Sequence, residues 1–99
     1  TDLKADPADP DSPTLATEFV GTSITSDGQS NAELQATMAL NPQVHYAEGE
    51  TRGYVSVTLT PGRMETRLQG ISDRRDRQAT VSTLKRFVVE DGKAGAVEA

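Results

Sequence analysis

Val55, Val57 and Leu59 alternate with Ser56, Thr58 and Thr60, the clearest two-residue period in the chain, and predict a strand over about 54–60 with one apolar face. Pro61-Gly62 follows, which suits positions i+1 and i+2 of a type II turn because Pro presets φ and Gly supplies the positive φ. The next strand, about Arg63 to Ile71, should then return antiparallel with Met64, Thr66 and Leu68 on one face. Asp73 to Arg77 is a charged loop, and a third strand is expected at about Thr80 to Val89. Together these runs predict an antiparallel meander. Val55, Val57, Leu59, Leu68, Phe87 and Val89 are expected to form one buried surface with Phe19, Leu34 and Met38.

Before the meander, Leu15, Ala16, Phe19 and Val20 make a short apolar run between threonines, expected as a buried strand over 14–20 and ended by Gly21. Thr22 to Gly28 is rich in hydroxyls and closes on Asp-Gly, a turn pair. Asn31 is the candidate N-cap of a helix from about Ala32 to Leu40, with Glu33 in its first turn. Leu34 and Met38 give that helix a narrow apolar stripe, and Asn41-Pro42 stops it. Residues 1–13 carry four aspartates and three prolines but almost no apolar side chain, so they read as an irregular acidic loop or linker. Residues 14–90 hold the folded segment and 91–99 a tail. The fold class expected is α+β.

Hydrophobic residues are only 34% of the 99, against about 45–50% in a typical domain when glycine is also counted. Such a thin core suits a region that packs on a larger neighbour. The net charge of −5 repels phosphate backbones and anionic surfaces, which disfavours nucleic-acid binding. Cysteine is absent, excluding disulfides and thiolate chemistry. No apolar run approaches the roughly 20 residues a membrane-spanning helix needs.

Candidate chemistry is sparse. His45 is the single histidine and lies between Val44 and Tyr46, so it supplies at most one ligand where a metal site needs several. Gly21-Thr22-Ser23-Ile24-Thr25 is not a nucleophile elbow. Asp27-Gly28-Gln29 lacks the oxygen ligands of a calcium loop. The acids Glu48, Glu50, Asp73, Asp76, Glu90 and Asp91 read as solvated surface, and Arg74-Arg75-Asp76-Arg77 as a self-pairing loop. Arg52, before Gly53-Tyr54, is the one candidate substrate-binding residue, since an arginine fork can grip a phosphate bidentately. The alternative is that Arg52 binds a carboxylate or backbone carbonyl while Gly53 permits close packing. No catalytic and no metal-ligating residue is assigned.

Four ordered blocks carry a resemblance: Thr17-Glu18-Phe19-Val20-Gly21-Thr22-Ser23-Ile24-Thr25-Ser26, Asn31-Ala32-Glu33-Leu34-Gln35 to Asn41-Pro42, Arg52-Gly53-Tyr54-Val55, and Phe87-Val88-Val89-Glu90-Asp91-Gly92. The set resembles the C-terminal part of secreted alkaline phosphatases of the D type, metal-dependent phosphomonoesterases and phosphodiesterases that include calcium-dependent phospholipase D enzymes. The resemblance implies the late strands of the second sheet of a metallophosphatase sandwich, and iron and calcium as the intact family's metals. It also implies an extracytoplasmic parent protein whose upstream catalytic region supplies the metal ligands. The last Asp-x-His segment of that region is expected a few residues before Thr1. On this basis the segment is expected to be inactive alone. A noncatalytic β-rich binding or structural module is the alternative.

Overall fold

A computed structural model describes residues 1–99. Its elements are β1 (Asp2–Lys4), β2 (Thr14–Thr17), α1 (Asn31–Ala39), β3 (Gly53–Thr60), β4 (Arg63–Ile71), β5 (Val81–Glu90) and β6 (Val97–Glu98). β3, β4, β5 and β6 form an antiparallel four-stranded meander, and β1 and β2 a separate antiparallel pair. The expected α+β class with one helix holds. The three expected long strands appear at their expected places.

Register follows the side-chain pattern. Val57 stands opposite Thr66, which stands opposite Phe87, while Leu59, Met64 and Val89 form the neighbouring row. The alternate rows place Ser56, Arg67 and Arg86 together on the other face, with Thr58, Glu65 and Val88 beside them. There Glu65 lies 2.6 Å from Arg67 and 3.7 Å from Arg63, so cross-strand and neighbouring charges are compensated. The register shifts between Leu68 and Gln69, where Leu84 of β5 is the extra residue of a bulge.

The apolar face is covered only at its middle. Phe87, 9% exposed, meets the Phe19 ring at 6.1 Å and the Tyr46 ring at 6.3 Å between centroids. Thr66 beside it is fully buried, and its hydroxyl has no partner. Toward the hairpin end cover runs out: Leu59 is 77% exposed and Val57 is exposed as well. The single buried surface expected from the pattern is therefore confined to the Phe87 cluster, with Val55, Leu68, Val89, Leu34 and Met38 half-buried around it. The reason is supply. Phe19 and Tyr46 are the only aromatic rings that come over the sheet, and both sit on Phe87. The molecule is 18 Å across its short axis, where two packed sheets alone are about 10 Å apart between backbones, so one full layer carries a partial second one.

Other differences are local. The run expected as a buried strand over 14–20 ends at Thr17, and Leu15 is 65% exposed because β2 pairs only with short β1. Residues 2–4, expected to be irregular, form β1, and the rest of the acidic segment is turns. The aspartates there serve their own backbone: Asp6 Oδ1 accepts from Ala8 N–H at 3.0 Å and Asp9 Oδ1 from Asp11 N–H at 2.9 Å. Ser30 rather than Asn31 caps α1, its Oγ accepting from Glu33 N–H at 3.3 Å. The helix ends at Asn41 as expected, with Asn41 Nδ2 donating to Thr37 O at 2.8 Å. Gly62 does not take positive φ, so the β3–β4 turn is not type II. Thr60 Oγ1 closes it instead, donating to Arg63 O at 3.1 Å and accepting from Arg63 N–H at 3.3 Å. Part of the expected tail is β6, paired to Phe87 and Val88.

The uneven cover makes a direct test. Phe87→Ala should cost about 3–5 kcal/mol, whereas Leu59→Ala should change stability by about 0.5 kcal/mol or less, as exposed sites do. Urea midpoints at constant slope measure both, and equal losses would contradict the cover described.

Candidate functional site

Arg52 lies just before β3 and its backbone is locked to the far end of β4, where its carbonyl accepts from Ile71 N–H at 2.8 Å. With that anchor fixed, the side chain turns inward and is only 7% exposed. Nη1 donates to Ser23 Oγ at 2.7 Å and to Ser26 O at 3.5 Å, and Nη2 donates to Gly49 O. Ser23 Oγ in turn donates to Ser26 O at 3.0 Å. No carboxylate pairs with Arg52, and Nε has no partner within the chain. A buried guanidinium without a counter-ion is tolerable only when oxygen dipoles surround it. Carbonyls and a hydroxyl do so here.

The same loop is held from a second side. Arg74, after β4, donates to Thr25 O and pairs with Asp27. The expected self-paired 74–77 cluster is therefore corrected: Arg74 reaches across to the hydroxyl-rich loop, while Asp73 and Asp76 accept from Arg75 and Gln78 N–H, each at 2.9 Å. Those aspartates are used in turns and leave Arg74 free to reach. Two arginines from opposite ends of β4 thus hold Ser23 to Asp27. The fit is tight enough to fix residue types, because a Cβ on Gly28 would collide with the Arg52 guanidinium and Gly49 O.

Glu48 organises the turn that presents Gly49. Its carboxylate accepts from Glu50 N–H at 2.9 Å and from Thr51 N–H at 2.9 Å, while Asn31 Oδ1 accepts from Gly49 N–H at 2.8 Å. Burial by itself would raise the Glu48 pKa, but the bonds from Glu50, Asn31 and Thr51 outweigh it and hold the carboxyl below its ordinary value. Tyr46 nearby is pushed up by burial and by the Glu48 charge, against the opposing effect of Lys85. Asn31, Gly49 and Arg52 border a cavity region of about 410 Å³ floored by Val55, Leu68 and Phe87 and walled by Phe19, Leu34 and Tyr46, with Arg52 and Gly49 on its lining.

The remaining candidates do not converge. His45 Nε2 lies 2.6 Å from Asp2 Oδ2 and ties the N-terminal strand to the 43–45 segment, alongside Asp2 N–H donating to Gln43 O at 2.8 Å. No three His, Asp or Glu side chains come together in a set that could hold a metal ion. The residues of this chain therefore do not compose the iron and calcium site that the resemblance implies for the intact family. Ser23 Oγ is engaged with Arg52 and Ser26 and has no histidine base beside it. Sequence reasoning singled out Arg52 but missed Arg74, Gly28 and Glu48 as its supports. The legible sign was an arginine set between Gly49 and Gly53, where missing side chains make room for a long one.

A family model described as PhoD-like phosphatase matches residues 1–68. The chain belongs to the PhoD-like phosphatase family. The matched span contains β1, β2, α1, β3, Arg52 and the loop it grips, together with three of the four motif blocks; Phe87 to Gly92 lies outside it. Neither the curated proteins nor the solved structures gave a match.

Two outcomes follow from this geometry. Gly28→Ala should destabilise the chain by about 1–3 kcal/mol, the usual range for overpacking, and expose Ser23 to Gly28 amides to hydrogen exchange, as read by melting and exchange together. Because Glu48 has a lower pKa folded than unfolded, its contribution is present above the unfolded value, about 4.3, and is lost as pH falls through the folded value. Glu48→Gln should therefore flatten the acid limb of stability against pH. Superimposable acid limbs for the two proteins would contradict that role.

Proposed function

We propose that this chain is the C-terminal structural segment of an extracytoplasmic, metal-dependent phosphomonoesterase or phosphodiesterase, and that it is inactive alone. The family match supports the phosphatase assignment. The observation that carries the rest is the donor set: His45 and Asp2 pair with each other, and no third ligand joins them. In this reading the ligands come from an upstream catalytic region of the same parent protein. Iron and calcium bound there would activate water and neutralise the phosphoryl oxygens. The exposed apolar end of the sheet, Val57 and Leu59, suits packing against that region.

The role of this chain's own residues is positional. Arg52 and Arg74 hold Ser23 to Asp27 in one conformation. Both Nη groups of Arg52 are occupied by Ser23, Ser26 and Gly49, so Nε is the donor left for a phosphate oxygen. The secreted location rests on the resemblance to exported enzymes.

Hydrolysis of p-nitrophenyl phosphate tests the proposal. Residues 1–99 with added iron, calcium or zinc should show no turnover above buffer, while the same segment joined to its upstream region, or refolded with it, should. Chelator-sensitive turnover by residues 1–99 alone, removed by a substitution within them, would overturn the reading.

A further inference from the structure

β3 is an edge strand, because the meander runs β3-β4-β5-β6. Gly53 N–H points away from β4 and donates to Ser23 O at 3.3 Å, whereas the Arg52 carbonyl faces β4 and accepts from Ile71 N–H. Backbone groups alternate sides along an antiparallel strand. Val55, Val57 and Leu59 therefore turn their N–H and C=O groups to the open edge.

Proteins normally blunt such an edge with charge, proline, a bulge or a short length. Tyr54 to Thr60 contains no charged residue and no proline, and the bulge of this meander lies between β4 and β5. Val57 is 52% exposed. The strand is also complementary to itself. Antiparallel pairing of two copies about a two-fold axis at Val57 sets Val57 against Val57 and Val55 against Leu59 on one face. On the other it sets Ser56 against Thr58 and Tyr54 against Thr60. No like charges meet in that pairing, which matters for a chain of net charge −5.

Both ends of the pairing are defined. Gly53 N–H is already taken by Ser23, and Pro61 has no N–H to offer. The opposite edge of the sheet, β6, is only two residues long, so association closes at a symmetric pair instead of propagating.

We infer that β3 is a homodimerisation edge: a second copy of this chain pairs antiparallel with it through Tyr54 to Thr60, joining two four-stranded sheets into one. The apolar strips of Val55, Val57 and Leu59 from the two copies then lie side by side.

Sedimentation of the 99-residue chain over about 1–500 μM should show a concentration-dependent dimer. Val57→Lys opposes two charges across the axis and should leave a monomer with an unchanged circular dichroism spectrum. A second variant covers failure of that one to fold. The chain has no cysteine, and a hydrogen-bonded antiparallel pair places Cα atoms about 5.5 Å apart, within disulfide reach. Val57→Cys should therefore oxidise to a covalent dimer much faster than Thr83→Cys on β5. A monomer at every concentration, a dimer indifferent to Val57→Lys, or equal cross-linking of the two cysteine variants would each overturn the proposal.

Discussion

The Arg52 guanidinium joins parts of the chain that little else connects. Its donors reach Gly49, Ser23 and Ser26, so one side chain ties the start of the meander to the turn after α1 and to the loop after β2. Burying a cation costs several kcal/mol before compensation, and hydrogen bonds to a charged group return about 1.5–3 kcal/mol each. The arrangement is therefore stable only while its acceptors stay in place. Glu48, by ordering Glu50 and Thr51 N–H, and Asn31, by holding Gly49 N–H, keep Gly49 O aimed at Arg52.

Apolar burial plays the smaller part that the composition leaves to it. One aromatic cluster, Phe19, Tyr46 and Phe87, brings the loops from both halves of the N-terminal region onto the sheet. Beyond it, Val57 and Leu59 remain in solvent although their pattern is that of a core strand. Alternation specifies which residues share a face and says nothing of whether a second layer covers that face. In a phosphatase-family segment, an uncovered apolar sheet end and a pair of arginines holding a hydroxyl-rich loop are features of a part that supports chemistry. The metal ligands of such chemistry do not converge among its own side chains.

The family relationship was visible in ordered blocks, and the match over residues 1–68 takes in those from Thr17 through Val55. Arg52 stood out there as the one polar side chain beside a strand start. What it grips was not legible, because Ser23, Ser26 and Gly49 are brought to it from across the chain by the fold.

Local chemistry alone determined the three long strands, the helix stop at Asn41-Pro42 and the turn-rich acidic segment, since side-chain alternation, proline geometry and aspartate turns act within a few residues. Register within the meander followed too, because a one-residue slip would turn the apolar row of Val57, Thr66 and Phe87 to the other face. Tertiary structure decided the rest. Ser30 rather than its neighbour caps the helix because Asn31 is drawn to Gly49, and Arg74 leaves its own charged loop for Asp27. Leu59 is bare while Phe87 is buried because only two rings reach the sheet. These outcomes depend on groups far apart in sequence meeting in space, and no periodicity records that.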